Sequence, residues 1–244
     1  MSRKNFTHEI LGVIPARGGS KGIPRKNIKV LKGKPLIAYT IEVAKQSSLI
    51  SHLIVSTDDK ETAEIARAYG AEVPFLRPKE LARDKTPGLP VIQHAIRFME
   101  GKLGTEFDYV VILQPTSPLR TVEDIDKTIQ LLIDTGADSA VSLVETEASS
   151  HPMKMKKLDG SRVLPYSIAE PEGIRRQDLP TVYKRSGAVY AQTRKLVIDK
   201  GMLYGDHIVG HVVPQERSID IDDEFDWIRA EYMLEKLRAS DHSF

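Results

Sequence analysis

The feature that most constrains this chain is an alternation, over its first 144 residues, of short apolar runs with segments of helical periodicity. Residues 10–14 (ILGVI) form the first such run, ending in Pro15, and read as a strand covered on both faces, as in a parallel sheet. Residues 35–46 then place Leu36, Ile37, Tyr39, Val43 and Ala44 at helical spacing, with proline in the first turn. Residues 52–55 read as a strand, 59–69 as a helix closed by Gly70, and 72–75 as a short third strand. Residues 89–99 are helical in pattern, 108–113 are the most strand-like stretch, 122–134 form a helix capped by Thr121, and 139–144 are another strand. Such alternation predicts an open, mostly parallel α/β sheet with ligands at the carboxyl ends of its strands.

The rhythm breaks after residue 144. Residues 145–182 are rich in proline, glycine and charge, with strand candidates at 153–158 and 162–164, and read as an inserted β-rich arm too small for a core of its own. An arm of that kind needs a partner surface, which points to a subunit contact. Strands return at 186–191 and 208–213, and 224–237 is an amphipathic closing helix. With 244 residues, the chain divides into one α/β unit (1–144 and 183–244) and the arm (145–182).

Composition excludes several functions. There is no cysteine, which removes disulfides, thiolate metal sites and cysteine nucleophiles. Lys and Arg number 35 against 34 Asp and Glu, so net charge implies no nucleic-acid surface. The seven histidines show no metal-ligand spacing. The apolar stretch 10–16 is too short for a secretory signal, and no run approaches the ~18 apolar residues of a membrane span. A cytoplasmic protein without membrane contact is expected.

Two motifs carry chemistry. Residues 17–27 (RGGSKGIPRKN) hold four cations and three glycines directly after the first strand. Glycines let successive backbone N–H groups converge on an anion, and Arg17, Lys21, Arg25 and Lys26 supply countercharge. The composition suits a solvated basic turn equally well, and the position at a strand's carboxyl end favours phosphate. The spacing is neither of the two familiar glycine-rich phosphate fingerprints. In residues 218–222 (SIDID), period-2 geometry would turn Asp220 and Asp222 to one face and Ile219 and Ile221 to the other. Paired carboxylates suit Mg²⁺, or Mn²⁺, and they equally suit the N-terminus of the closing helix. Asp58 reads as a helix cap, and Arg77 as an ion-pair partner of Glu80 or Asp84. His94 and Trp227 read as structural, and no side chain stands out as a general base.

The string IPARGGSKGIPRKN at 14–27 resembles the signature loop of the acylneuraminate cytidylyltransferases, the CMP-sialic acid synthetases. Four further segments agree in order: VSTD at 55–58, RPKEL at 77–81, LQPTSPLR at 113–120 and SIDID at 218–222. The likeness spans essentially the whole chain, and it implies a Rossmann-like nucleotidyltransferase fold whose arm serves dimerisation. It further implies transfer of CMP from CTP to the anomeric hydroxyl of a nine-carbon 2-keto sugar acid, with release of pyrophosphate. By resemblance, Arg17 and Lys21 meet the triphosphate, Lys26, Asn27 and Arg77 the nucleotide, and Asp220 and Asp222 the metal. Gln114 and Tyr190 would line the sugar pocket, although Tyr190 fits a core aromatic as well. Lys184 would bind the acid as well, and Lys154 and Arg176 in the arm would reach across a homodimer to the neighbour's site.

This sequence departs from the family pattern at Lys184, usually arginine, and at Ser186, usually asparagine. Gly22 stands where versions specific for pseudaminate commonly carry arginine, which disfavours that stereoisomer. Relatives acting on 3-deoxy-manno-octulosonate usually lack the second half of the loop. Two other readings stand beside this one: a nucleotidyltransferase for another sugar, and a non-catalytic nucleotide-binding module. Retention of both aspartates argues against the module.

Overall fold

A computed structural model describes residues 7–20 and 22–241. Strand β1 (Ile10–Pro15) is buried along almost its whole length, as an unbroken apolar run requires. The basic loop leads to a small hairpin, β2 (Val30–Leu31) and β3 (Lys34–Pro35), and then to helix α1 (Leu36–Gln46). Strand β4 (His52–Ser56) and helix α2 (Lys60–Ala68) follow, the helix capped by Asp59, whose carboxylate accepts the Thr62 N–H at 2.9 Å. Helix α3 (Gly88–Leu103) precedes β5 (Tyr109–Ile112). Helix α4 (Val122–Thr135) starts in a capping box between Thr121 and Asp124 and leads to β6 (Ser139–Glu145). A small hairpin of β7 (Lys156–Asp159) and β8 (Arg162–Pro165) comes next. The chain finishes with β9 (Tyr183–Thr193), α5 (Arg194–Ile198), β10 (Ile208–Val212) and α6 (Glu224–Asp241).

Six strands form one sheet in the order β10-β6-β9-β5-β1-β4. All neighbours run parallel except at β9, which is antiparallel to both β5 and β6. β6 and β9 are thus the two legs of a long hairpin, and residues 146–182 are its connection. Among the described residues no helix is long and apolar enough to cross a membrane.

Three apolar clusters hold the layers together. Ile14, Ile37, Ile41, Val111, Ile125 and Ile129 fill one side of the sheet, under α1, α2 and α4. Leu11, Val13, Ile92, Ile96, Val110 and Val197 fill the other, under α3 and α5. The third cluster is smaller: Ile23 from the basic loop packs with Leu31, Leu36, Ile219, Ile221 and Trp227. Burying a side chain of that size is worth about 1.5–3 kcal/mol, so Ile23 and Ile221 clamp the basic loop to the aspartate segment.

The predicted strand at 72–75 is not a ladder strand. Only isolated bridges form, Ile54 with Glu72 and Thr57 with Leu76, because Pro74 between them has no N–H to donate. Pro35 caps α1 and pairs in β3, where the sequence placed it inside the first turn.

Candidate active site

A cavity of about 850 Å³ opens beyond the carboxyl ends of β1 and β5, within the range of small-ligand sites. One end is lined by Arg17, Ser20, Gly22, Lys26 and Asn27 of the basic loop, facing Asp220 and Asp222. Gln114, Tyr190, Gln192 and Tyr204 line the other, with Arg77 and Asp84 along the edge. Of the residues singled out by sequence, Arg17, Lys26, Asn27, Arg77, Gln114, Tyr190, Asp220 and Asp222 therefore share one cavity. Lys21 lies outside the described residues.

Contact between the loop and the aspartate segment is direct. Lys26 Nζ donates to the carbonyl of Ile221 at 2.5 Å and lies 3.4 Å from Asp222 Oδ1. Gly22 rests against the backbone of Asp222 so closely that a Cβ would overlap its carbonyl oxygen. The loop is tied down at its start by Asp58, which accepts the Gly18 N–H at 3.0 Å, and at its end by Asn27, whose amide donates to the Arg17 carbonyl at 3.0 Å. Asp58 is consequently a loop anchor, not a helix cap; it sits one residue too early, and Asp59 takes the capping role. Arg25 also departs from expectation. Its guanidinium turns to Asp59 and Glu61, at 3.2 and 2.7 Å, and adds no charge to the cavity.

Arg77 makes neither expected ion pair. It is buried against Ser56, donating to the hydroxyl at 3.0 Å and to the carbonyl, while Asp84 pairs with Arg17 at 2.9 Å. Burial pulls the Arg77 pKa down to about 10 and the charge of Arg17 adds to this, against the opposing pull of Asp58.

The aspartates differ in environment. The Asp222 side chain is 81% exposed, whereas Asp220 is largely buried and its Oδ1 has no hydrogen-bond partner. Burial raises the Asp220 pKa and the neighbouring Asp222 charge adds to it, opposed by a hydrogen bond from Thr116 and by Lys26 and Arg120. Asp220 fits only because residue 187 is glycine: a Cβ there would stand 2.6 Å from Asp220 Oδ2, and φ is +80°. An orphaned buried carboxylate oxygen beside an exposed carboxylate is a donor set that suits a hard divalent cation. Among the described residues no three His, Asp or Glu side chains gather to hold a metal by themselves. An ion here would take the rest of its shell from water and substrate.

Gly187 lies in a bulge of β9. Val141 faces Tyr190, but Leu143 faces Arg185 where unbroken pairing would set Ala188. The Ser142 hydroxyl accepts the Val189 N–H at 2.8 Å and receives the Ser186 hydroxyl at 2.7 Å. Arg120, fully buried, donates to Ala188 O at 2.6 Å, Gln114 O at 2.5 Å and Thr40 Oγ1 at 2.9 Å. Burial lowers its pKa to about 10, offset by Asp124 and Asp220, so it stays charged at neutral pH. Arg120 was visible in the sequence as the last residue of LQPTSPLR, but nothing there distinguished a strut from a ligand contact.

The bulge also reverses which side chains face the cavity. Arg185 lines it, 4.9 Å over the ring of Tyr204, and Lys184 does not. Burial raises the Tyr190 pKa to about 12, so its hydroxyl remains a donor. Lys154 lies in a short turn at the start of the arm, and Arg176 borders a separate cavity of about 540 Å³ at the arm's base. Neither borders the main cavity.

A family model described as cytidylyltransferase matches residues 11–209. The chain belongs to the cytidylyltransferase family. This cytidylyltransferase is 39% identical over 230 residues to the CMP-N,N′-diacetyllegionaminic acid synthase of Legionella pneumophila, covering 93% of this chain and 96% of that one. It is 34% identical over 213 residues to the pseudaminic acid cytidylyltransferase of Campylobacter jejuni, covering 87% and 90%. It is 32% identical over 220 residues to the N-acylneuraminate cytidylyltransferase of Escherichia coli, covering 90% of this chain and 50% of that one. Among solved structures, CMP:2-keto-3-deoxy-manno-octonic acid synthetase complexed with CTP matches with a TM-score of 0.71 at 19% identity, covering 94% and 99%; it shares the fold. The cytidylyltransferase is thus a nucleotidyltransferase enzyme whose cavity lies where α/β sheets bind ligands.

Proposed function

We propose that this enzyme transfers CMP from CTP to the anomeric hydroxyl of a nine-carbon 2-keto sugar acid, releasing pyrophosphate. The observation that carries the reading is the docking of the cationic loop on the aspartate segment, through Gly22 and Lys26, at one end of a single cavity. Relatives named for diacetyllegionaminic, pseudaminic and N-acylneuraminic acids support a nonulosonate acceptor.

In-line displacement at phosphorus is chiefly a matter of positioning and charge neutralisation. The acceptor oxygen bonds to the α-phosphorus, the bond to the bridging oxygen breaks, pyrophosphate leaves, and one proton is released to solvent. Arg17, Lys21 and the loop N–H groups meet the triphosphate and its leaving group. Lys26, Asn27 and Arg77 shape the nucleotide end: Asn27 by closing the loop, Lys26 by bracing it, and Arg77 by a fixed positive charge. Gln114, Tyr190 and Arg185 face the acceptor. Asp220 and Asp222 would hold Mg²⁺, with Mn²⁺ as a substitute; bound there, the cation supplies charge neutralisation at the phosphates.

The arm supports a homodimer. Met155, Leu158, Val163, Tyr166 and Ile168 are all exposed on a segment without a core, as an interface element would leave them in a single protomer. In that dimer Lys154 and Arg176 act on the partner's acceptor, where the Arg176 guanidinium suits a carboxylate. Pyrophosphate release, assayed with each of the four nucleoside triphosphates and a panel of sugar acids, tests the reaction. Turnover is expected with CTP and at least one nonulosonate; silence with CTP and every acid would favour a nucleotide-binding module.

A further inference from the structure

The floor of the acceptor end contains polar atoms that the protein does not satisfy. Gln192 borders the cavity, is fully buried, and has no hydrogen-bond partner for either its amide nitrogen or its amide oxygen. Directly opposite it on β6 stands Ser139, also fully buried and with its hydroxyl unpartnered. Cross-strand partners share a face of the sheet, with Cβ atoms about 5 Å apart. Of the eight unpartnered buried side-chain atoms among the described residues, three therefore belong to this one pair. Each such atom is costly to leave unpaired, and apolar residues of the same shape would fit better here if the site stayed empty.

The surroundings are otherwise apolar. Val110, opposite Gln192 on β5, belongs to the core under α3, and Ile92, Ile112 and Leu203 of the same core line the cavity. Tyr190 lies on the same strand two residues away, its ring edge-on to Tyr204 with centroids 6.4 Å apart. A ligand group suited to this floor carries an acceptor together with an apolar cap. A primary amide presents a carbonyl acceptor and N–H donors, and the carbonyl of a secondary amide is a partner that reaches beyond the carbon bearing it.

Resting on the proposed reaction, we infer that Gln192, assisted by Ser139, is a specificity-determining residue that reads an acylamino substituent of the acceptor. Its Nε2 donates to the substituent's C=O and its Oε1 accepts the Ser139 hydroxyl, while Ile92, Ile112 and Leu203 cover the acyl carbons. A hydroxyl at the same carbon lacks the carbonyl that reaches Nε2 and the acyl carbons that fill the apolar cover, so the enzyme discriminates against it. The residue acts on recognition, remote from the phosphorus, and its loss is felt in the acceptor's KM more than in kcat.

The test uses the full-length enzyme with CTP, Mg²⁺ and three acceptors: N,N′-diacetyllegionaminate and two analogues in which one acetamido group at a time is replaced by hydroxyl. Wild type should prefer the diacetylated acid over one of the analogues by about 10- to 100-fold in kcat/KM. Gln192→Met, close in volume, should shrink that preference to within about threefold, the change falling on acceptor KM. Ser139→Ala should shrink it partially and guards against misfolding of the first variant. An unchanged preference in both folded variants, or a wild type indifferent to both replacements, overturns the inference and makes the amide a structural group held by buried water. Absence of turnover by wild type with all three acids and with N-acetylneuraminate would instead overturn the proposed reaction, and the inference with it.

Discussion

Asp220 owes its place to residue 187. Because that position is glycine at φ +80°, the carboxylate slides beneath the β9 bulge and loses both solvent and one hydrogen-bond partner. Burial, with the Asp222 charge behind it, then raises its pKa, so in the folded chain it holds its proton more tightly than when unfolded. Ionisation at neutral pH accordingly costs stability, and the cost fades as pH falls towards the ordinary value of 3.8. Asp220→Asn should therefore raise the melting temperature of the metal-free protein at pH 7, with the difference shrinking between pH 7 and 4, while abolishing pyrophosphate release. Thermal melts across that range check it; a variant less stable than wild type at pH 7 would show that the carboxylate is well paired after all.

At the scale of elements, the bulge in β9 is the device that builds the site, and Arg120 holds it. One buried guanidinium bridges the loop after β5, the bulge and α1. Arg120→Met would leave the carbonyls of Gln114 and Ala188 without that donor, at a cost of about 3 kcal/mol or more in urea unfolding. Its activity loss should exceed that of an equally destabilising change elsewhere, such as Ile129→Val combined with Ile133→Ala on α4. Equal losses would make Arg120 a generic core residue. Strands β1, β4, β5 and β6 were legible because short apolar runs between helical patterns admit few alternatives. The bulge was not, because its causes, Ser142 and Arg120, are distant in sequence. Simple alternation from Tyr190 sets Lys184 on the cavity face, and the shifted register puts Arg185 there instead. The β2–β3 hairpin escaped notice for a related reason: two-residue strands carry no periodicity.

For the molecule as a whole, the loop and the aspartates stand about 200 positions apart in the chain and meet through Ile23, Ile219 and Ile221 in one apolar cluster. Sequence could name both motifs from their residues, but only packing joins them. In the proposed dimer the arm would extend the same logic across subunits, since Lys154 and Arg176 border no part of the main cavity. Co-expressing Arg176→Ala and Asp220→Asn subunits should restore activity in the mixed dimer, where one site combines an intact arm with intact aspartates. With each variant inactive alone, recovery of no activity would place Arg176 in its own subunit's chemistry.

The account depends on one cation–triphosphate complex being held by the loop and the aspartates together. Mn²⁺ in place of Mg²⁺, with CTP, offers the most direct measurement: its unpaired electrons broaden nearby amide resonances in NMR spectra. The Gly18, Gly19, Ser20 and Gly22 amide signals should broaden in wild type and recover in the Asp220→Asn, Asp222→Asn double variant. Sharp loop signals in wild type, or broadening that persists in the double variant, would contradict it.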